Sequence, residues 1–390
     1  MRFLGLVALA AACSGNSATG DGGGGAPMIG PSAATIIAPA AGDDILFATP
    51  DIEDALDGGV TIVYVTAPRD GTDREAREMG VKTAYAQLLG SDAWSCGTGA
   101  LDTDAHQAEI CANGHLTLVY LNYPAGGDDG SDPESLLNLW QGTTPNATVA
   151  TVDGSGTSYD QPGLVDVVTH LISITSPLQV TTFEIAATHG DDRSDHMLTG
   201  ALAWLAATAL PSLPDLQALR GDNIQTEAPN TDGADAMTAI EACGAPCTSD
   251  PAAAYAATRH YPDGMHRGSG KLSDGTMCIT VSDGGTVGLG DCASAPSFDF
   301  GDDGTIIASS AQLCLDVLFT GELVSTAAPC QTTGGFHFGR DDEGHLWSGI
   351  TPPIAADMSY QHVTCVAELG GKPHATLCGR DLAPLWQLTQ

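Results

Sequence analysis

The 390-residue sequence predicts an α/β unit with a parallel sheet, followed by an all-β unit. Up to about residue 248, short β-branched runs alternate with helical segments, and this alternation is typical of parallel strands covered by helices on both faces. After about Arg259, helical segments give way to short apolar pieces separated by Gly and Asp, which indicates all-β structure. A chain of this length also exceeds one ordinary core, so two units are expected.

The composition is strongly acidic. The chain carries 48 acidic residues against 13 Lys and Arg, for a formal net charge of −35. A nucleic-acid partner requires a basic surface, so this class of function is excluded. The acids are scattered through predicted loops rather than gathered in one block, and this distribution favours a role in solubility.

The N-terminal segment predicts export. An apolar run from Phe3 to Ala12 follows Arg2, and it is too short to span a bilayer but suits a signal peptide over residues 1–13. Leu9-Ala10-Ala11-Ala12-Cys13 resembles a bacterial lipobox. This resemblance implies acylation of Cys13, so the membrane would be contacted only through a lipid anchor on a cell-envelope lipoprotein of the outer membrane or surface. The alternative is an ordinary signal peptide with a chance Cys.

Residues 14–31 are rich in Gly and Ser and are expected to be a flexible tether. The ten cysteines after Cys13 fall into near neighbours, and export favours disulfides over zinc-finger ligation. Five local disulfides are therefore predicted: Cys96–Cys111, Cys243–Cys247, Cys278–Cys292, Cys314–Cys330 and Cys365–Cys378.

The first unit, predicted over residues 32–248, opens on the stretch from Ile36 to Ile52. This stretch indicates a buried strand, a tight loop containing Asp43 and Asp44, and a helix start. Ligands of open α/β sheets bind beyond the carboxyl ends of the strands, so both carboxylates are placed at a natural site for chemistry. Further elements are predicted in alternation: strands at Val60 to Ala67, Leu116 to Tyr123 and Val180 to Ala187, and helices at Pro50 to Leu56, Arg74 to Leu89 and Leu164 to Ile174.

The loop resembles the metal-binding signature of the PIG-L or LmbE-like sugar N-deacetylases. Aligning Asp43-Asp44-Ile45-Leu46-Phe47 with that signature places Asp43 at a zinc ligand. It also places Ala40 at the metal-binding His, Ala41 at a Pro, and Gly42 at the general-base Asp. The resemblance implies a Rossmann-like sheet, zinc as cofactor and N-acetylated sugars as substrates.

A second segment, Arg193-Ser194-Asp195-His196, resembles the late His-rich turn of the same family. It implies that His196 is a zinc ligand and that Asp195 orients a histidine, while Arg193 replaces the first His. Arg74 matches a position that holds the substrate. Other fragments follow in the family's order across residues 31–245, including Thr66-Ala67, Arg74-Glu75-Ala76, Ala84-Tyr85-Ala86-Gln87, Leu121-Asn122-Tyr123-Pro124 and Leu139-Trp140-Gln141-Gly142.

The departures from this signature bear on catalysis. Amide hydrolysis at neutral pH requires a metal that activates water and a carboxylate that accepts its proton. Only Asp43 and His196 remain of three ligands, so zinc is expected to bind weakly or not at all, and Gly42 cannot act as a base. Asp44 or Asp191 could substitute for the base, and His189 for the third ligand. The alternative is therefore an active deacetylase with a rearranged site that releases acetate from N-acetylglucosamine conjugates.

The second unit, predicted over residues 262–390, contains three related segments of about forty residues. Each begins at a Cys-containing strand, at Cys278, Cys314 and Cys365, and continues to an aromatic position, at Phe298, Phe336 and Trp386. The segments resemble the ricin-type β-trefoil lectins. In that family an Asp two residues after the first Cys binds sugar hydroxyls, and only the second segment retains it, as Asp316.

The sequence thus favours an envelope lipoprotein that binds a carbohydrate, a glycoconjugate or a protein partner and whose first unit is a degenerate deacetylase. A purely structural envelope protein is a third hypothesis. Zinc content and glycan binding would separate these three classes.

Overall fold

The structure is a computed structural model. It describes residues 25–102, 106–183, 193–210, 214–219, 221, 233–244, 247, 263–264, 268–282, 284–301, 304–318, 321–330, 338–340, 344, 346–348, 364–377 and 386–389. The predicted signal peptide and Cys13 lie outside this range. No helix within it has both the length and the apolar character needed to cross a bilayer.

The first part of the chain is an α/β unit. Its strands are β1 (Ala34–Ala38), β2 (Val60–Ala67), β3 (Ser95–Ala100), β4 (Gln107–Asn113), β5 (Leu116–Pro124), β6 (Val149–Ala150), β7 (Ser158–Tyr159), β8 (Gln179–Phe183), β9 (Asp215–Leu219) and β10 (Asp263–Gly264). Its helices are α1 (Asp43–Phe47), α2 (Thr49–Ala55), α3 (Gly71–Leu89), α4 (Leu136–Gln141), α5 (Gln161–Thr175), α6 (Ser194–Thr208) and α7 (Gly233–Cys243), with a 3-10 turn at Leu56–Gly58. The predicted alternation is confirmed, and β2 has the predicted bounds.

The main sheet has the strand order β10-β9-β8-β1-β2-β5-β4-β3. The five strands from β9 to β5 are parallel, whereas β10, β4 and β3 pair antiparallel. The expectation of a parallel sheet is therefore correct for its centre but not for its edges. Only Gly114 and His115 separate β4 from β5, and so short a connection can only reverse the chain direction.

Helices cover both faces of this sheet. Successive residues of β1 point to opposite faces, so that Ile37 packs in one core with α4, α5 and α6, while Ile36 packs in a second core with α1, α2, α3 and α7. Residues on both faces are apolar because neither face meets water. This arrangement places the β1–α1 loop and the start of α6 near the carboxyl ends of the central strands.

The remaining strands form an all-β unit with antiparallel pairing. They are β11 (Gly268–Ser273), β12 (Cys278–Val281), β13 (Val287–Gly290), β14 (Phe298–Phe300), β15 (Ile306–Ala308), β16 (Leu313–Val317), β17 (Leu323–Ala327), β18 (Phe338–Arg340), β19 (Leu346–Ser348), β20 (Thr364–Leu369), β21 (Lys372–Leu377) and β22 (Gln387–Thr389). Its core contains Phe298, Phe338 and Trp386, all fully buried. The predicted aromatic Phe336 lies outside the described residues, and the proposed unit boundaries at residues 248 and 262 stay predictions.

Candidate functional site

The candidate site lies at the carboxyl end of β1. β1 ends at Ala38 and α1 begins at Asp43, so residues 39–42 form a short loop. The carbonyl oxygen of Pro39 accepts hydrogen bonds from the Thr66 backbone nitrogen at 2.7 Å and from its hydroxyl at 2.9 Å. The loop is thereby fastened to the neighbouring strand β2, which fixes the direction in which α1 begins.

Asp43 and His196 come together at this loop, as the sequence indicated. Asp43 begins α1, and His196 lies in the first turn of α6. The Oδ2 atom of Asp43 lies 3.5 Å from Nε2 of His196 and accepts a hydrogen bond from the Ala40 backbone nitrogen at 3.0 Å. Both side chains are buried, with exposed fractions of 5% for Asp43 and 1% for His196.

The surroundings of this pair are apolar. The ring of His196 lies 4.8 Å from that of Phe183 and 5.8 Å from that of Phe47, measured between centroids. Burial alone would raise the pKa of Asp43, but its interactions with the nearby His196 and Arg193 and the hydrogen bond from the Ala40 backbone outweigh burial and lower that pKa. Asp43 and His196 therefore form a buried pair of polar side chains shielded from water.

Asp44, the first predicted substitute for the base, is fully buried beside Tyr64 and Tyr85. Its Oδ2 accepts hydrogen bonds from the hydroxyls of Tyr64 and Tyr85, and its Oδ1 accepts one from the Gly42 backbone nitrogen at 3.2 Å. Burial raises the pKa of Asp44 to about 6, although these hydrogen bonds favour the charged form. The contacts of Asp44 are those of a residue that anchors the loop.

Gly42, which the sequence resemblance aligns with a general base, has backbone angles that disfavour a side chain. Its φ is 108°, in the region that L residues rarely adopt. A Cβ atom at Gly42 would also lie 3.0 Å from Sγ of Cys247. Cys247 is joined to Cys243 at the end of α7, and α7 packs against α1, α2 and α3. The Cys243–Cys247 disulfide thus occupies the space beside Gly42.

Asp195, expected to orient a histidine, makes a different hydrogen bond. Its Oδ2 accepts from the Gly126 backbone nitrogen at 2.9 Å, so Asp195 ties the start of α6 to the loop after β5. Burial raises the pKa of Asp195 to about 6. His189 and Asp191 lie outside the described residues, so their proposed roles stay predictions.

Arg74, the predicted substrate contact, is directed into the protein. Its Nη1 donates to the Val152 carbonyl oxygen at 2.7 Å, and its Nε lies 3.7 Å from Oε1 of Glu78. Arg74 therefore contacts the loop that follows β6 and its own helix α3, and it does not contact Asp43 or His196. A role for Arg74 in substrate binding stays a prediction.

Among the described residues, no third donor lies with Asp43 and His196 in a cluster that could hold a zinc ion. Asp43 and His196 supply two donors, and the methyl group of Ala40 supplies none where the family has its second histidine. Elsewhere in the described residues, potential ligand atoms of Cys96, Glu109 and Cys111 lie within 4.8 Å of one another. The two sulfur atoms there are joined in a disulfide, so that cluster could bind a metal only after reduction.

Four of the predicted disulfides are present: Cys96–Cys111, Cys243–Cys247, Cys278–Cys292 and Cys314–Cys330. Cys365 is also disulfide-bonded, whereas Cys378 lies outside the described residues. Disulfides of this number indicate an extracellular location.

Asp316, the predicted sugar ligand, lies on β16 opposite Val324 of β17. Its side chain is half-buried, and burial raises its pKa. A role for Asp316 in sugar binding stays a prediction.

No protein-family model and no curated protein matches the chain. Among solved structures, N,N'-diacetylchitobiose deacetylase from Pyrococcus horikoshii is 17% identical with a TM-score of 0.34, covering 57% of this chain and 73% of the other. The hydratase GalB of Pseudomonas putida, which acts on 4-carboxy-2-hydroxymuconate, is 14% identical with a TM-score of 0.34, covering 58% and 82%. The hemolytic lectin CEL-III is 17% identical with a TM-score of 0.25, and the match spans 34% of either chain. These likenesses are weak.

Proposed function

We propose that this protein is an exported carbohydrate-binding protein whose α/β unit resembles the zinc-dependent N-acetyl-sugar deacetylases but has lost their activity. The observation that carries this proposal is the loop from Ala40 to Asp43. Gly42 occupies the base position with a φ of 108°, and the sulfur of Cys247 lies where a side chain would extend. Neither a base nor a complete metal shell is supplied at this point.

The surroundings of Asp43 and His196 support the same conclusion. The two side chains are 5% and 1% exposed, and their facing atoms lie 3.5 Å apart. Two ligands of one zinc ion can lie this close, but zinc sites use at least three protein ligands, and Ala40 supplies no donor. The pair acts as a structural link between α1 and α6 in this proposal.

Carbohydrate binding is assigned to the all-β unit, which we propose is a β-trefoil. Three hairpins, β12–β13, β16–β17 and β20–β21, each carry a fully buried cysteine in the first strand. The second strands of these hairpins contact one another in all three pairs, as expected of three equivalent lobes around one axis. Asp316 is the sugar ligand of the second lobe.

Export and anchoring complete the proposal. The disulfides favour an oxidising compartment, and the lipobox-like Leu9-Ala10-Ala11-Ala12-Cys13 supports acylation of Cys13. Labelling cells with a fatty-acid analogue should mark the wild-type protein but not Cys13→Ser. Wild-type protein without label would contradict the anchor.

Metal content and acetate release test the loss of activity. Purified protein should contain far less than one zinc per chain after dialysis and should release no acetate from N-acetylglucosamine conjugates. Stoichiometric zinc together with acetate release would mean that a rearranged site with Asp44, His189 or Asp191 is active, and it would overturn the proposal.

A glycan array tests the binding role. The wild type should retain at least one glycan, and Asp316→Asn should weaken that binding because a sugar hydroxyl loses a charged acceptor. Glu322→Gln, an exposed acid beside the same hairpin, removes an equal charge and should leave binding unchanged. Retention of no glycan by the wild type would favour a structural role instead.

A further inference from the structure

Three side chains with metal-binding atoms lie together on the hairpin of β3 and β4, at the edge of the main sheet. Cys96 on β3 is directly opposite Cys111 on β4, and Glu109 precedes Cys111 by two residues. Side chains alternate between the faces of a strand, so Glu109 and Cys111 share a face. One ligand atom of each of the three residues lies within 4.8 Å of the other two. Strands β2 and β5 separate this hairpin from β1, so the cluster is distinct from the loop that holds Asp43.

The Cys96–Cys111 disulfide is the most accessible one among the described residues. Cys96 is exposed. The other described disulfide cysteines are buried or only partly exposed, namely Cys243, Cys247, Cys278, Cys292, Cys314, Cys330 and Cys365. Reduction requires access of the reductant to one sulfur atom of the bond. A dithiol reductant would therefore attack Cys96 and release Cys111 as the leaving group, and it would supply two electrons and two protons while becoming a disulfide itself.

The backbone holds the three residues together without the disulfide. β3 and β4 are paired over the whole of β3, and β4 is paired in turn with β5. Opposite residues of an antiparallel pair have Cβ atoms about 4.5 to 5.5 Å apart. Two thiolates on one zinc ion, each about 2.3 Å from it, lie less than about 4.6 Å from each other. The reduced cysteines are thus spaced for one ion.

The donor set defines the class of ion. Two thiolates favour a soft, zinc-like cation, and with Glu109 they make three protein ligands, which leaves a fourth position for water. Nζ of Lys82 on α3 lies 3.9 Å from Oε1 of Glu109, and the two side chains are 25% and 34% exposed. Lys82 therefore competes with a cation for Glu109 and limits its affinity.

We propose that the hairpin of β3 and β4 is a redox-gated site for a thiol-binding divalent cation of the zinc class. The disulfide closes the site. Reduction opens it, and the cation then replaces the protons of the two thiols, with Cys96, Cys111 and Glu109 as ligands. The inference is independent of the proposed function, because it uses neither the Asp43 loop nor the Asp316 hairpin.

Stepwise reduction of the full chain, followed by alkylation and peptide mapping, tests the gate. A water-soluble phosphine, which becomes its oxide while water supplies the protons, should release Cys96 and Cys111 before the other described cysteines. Calorimetric titration of this partly reduced protein with Zn²⁺ should saturate at one ion per chain with a dissociation constant on the order of 1 μM. Bound Zn²⁺ should also protect both thiols from alkylation.

The neighbouring charges provide a pair of variants with opposite expected effects. Glu109→Gln removes a ligand and should weaken Zn²⁺ binding at least about tenfold, since even an outer partner of a ligand contributes that much. Lys82→Met removes the competing cation and should strengthen binding about threefold. Lys372→Met, at an exposed lysine of the all-β unit, is the control for net charge and should change the affinity less than either.

A second pair of variants needs no reductant. Cys96→His cannot form the disulfide but keeps three ligands, so it should bind Zn²⁺ in the absence of reductant. Cys96→Ser loses the same disulfide and one ligand, and it should bind at least about tenfold more weakly. Both variants lack the same crosslink, so equal melting temperatures without metal would confirm that stability does not cause the difference.

Three outcomes overturn the inference. They are the absence of Zn²⁺ binding in both the partly reduced wild type and Cys96→His, an unchanged affinity in Glu109→Gln, or reduction of another described disulfide before Cys96–Cys111. Zn²⁺ that is bound by the oxidised wild type and lost in His196→Ala would instead contradict the proposed loss of the deacetylase metal site, so the two proposals fail by different results.

Discussion

The α/β unit and the all-β unit are stabilised in different ways. The α/β unit buries two separate cores, one on each face of a sheet whose central strands β2 and β5 have eight and nine residues. The all-β unit has one described core, and its strands β11, β14 and β15 are only three to six residues long. A fold with one small core depends more on each buried side chain and on each crosslink. The α/β unit can instead accommodate irregular features such as the Gly42 loop.

Removal of the largest fully buried side chain among the described residues of the all-β unit should have the largest effect. Trp386→Ala deletes a fully buried indole whose Nε1 donates to the Val366 carbonyl oxygen at 2.8 Å, and we expect the free energy of unfolding to fall by about 3 to 5 kcal/mol. Calorimetry should show the transition of the all-β unit displaced or lost. Trp140→Ala on α4, where the indole is only half-buried, is the control and should cost less. Equal losses would contradict the difference between the units.

Two disulfides of nearly equal loop length compare the units directly. Cys278–Cys292 and Cys96–Cys111 have sequence separations of 14 and 15, so the entropy of the unfolded chain predicts about 3 kcal/mol for each. Cys278→Ala with Cys292→Ala should abolish cooperative unfolding of the all-β unit. Cys96→Ala with Cys111→Ala should only lower the melting temperature of the α/β unit. Loss of cooperativity in the second variant alone would reverse the comparison.

Substitution of Gly42 measures how far the α/β unit tolerates a side chain in the loop between β1 and α1. Gly42→Ala should cost roughly 2 kcal/mol, since it adds an unfavourable positive φ to a contact with Cys247. Gly371→Ala in the all-β unit also has a positive φ, 78°, but its Cβ would meet nothing within 4 Å, so it should cost less. Chemical denaturation measures both.

The contact with Cys247 can be isolated by a double-mutant cycle. Replacing Cys243 and Cys247 by Ala should recover the steric part of the Gly42→Ala cost but not the backbone part. Strict additivity of the substitutions would show that the disulfide does not restrict the loop.

The smallest expected effect is a pH dependence confined to the α/β unit. Burial raises the pKa of Glu78 from 4.5 to about 7 despite the nearby Arg74. A carboxyl group with a raised pKa in the folded state binds protons more readily there, so the stability that it contributes is complete below about pH 4.5 and is lost as the pH rises to about 7. After a discount for partial solvent screening, the loss should be roughly 1 to 2 kcal/mol.

Glu78→Gln should remove this slope, whereas Glu75→Gln, an exposed acid on the same helix, controls for the change in net charge. Urea titrations at a series of pH values measure the slope. A slope unchanged in Glu78→Gln would mean that another group causes it.

Sequence patterns predicted the elements of the α/β unit well where burial is uniform. The run Val60 to Ala67 is buried at every position, and its prediction as a strand is confirmed with the same bounds. The hairpin of β3 and β4 was missed, because β3 is largely exposed and lacks an apolar run. The Asn113-Gly114 pair, in which Gly114 has a positive φ of 61°, was the signal that could have revealed the antiparallel edge.

At the candidate site, too, some contacts were predicted from the sequence and others were not. The resemblance to a deacetylase signature predicted that Asp43 and His196 would meet, and they lie 3.5 Å apart. No pattern indicated that Asp44 would turn toward Tyr64 and Tyr85, or that Arg74 would bond to Val152. Adjacent residues of a helix point in different directions, and what each one meets depends on elements that are remote in sequence.

The sequence by itself determined the succession of strands and helices, the change to all-β structure and the pairing of near-neighbour cysteines, because each depends on local periodicity or on short loop closure. Only the tertiary structure decided that the Cys243–Cys247 disulfide lies against Gly42 and that Gln179, Gln217 and α2 border one cavity. These contacts join segments far apart in the chain, and their geometry follows from how α7 and α2 pack on the sheet rather than from any local pattern.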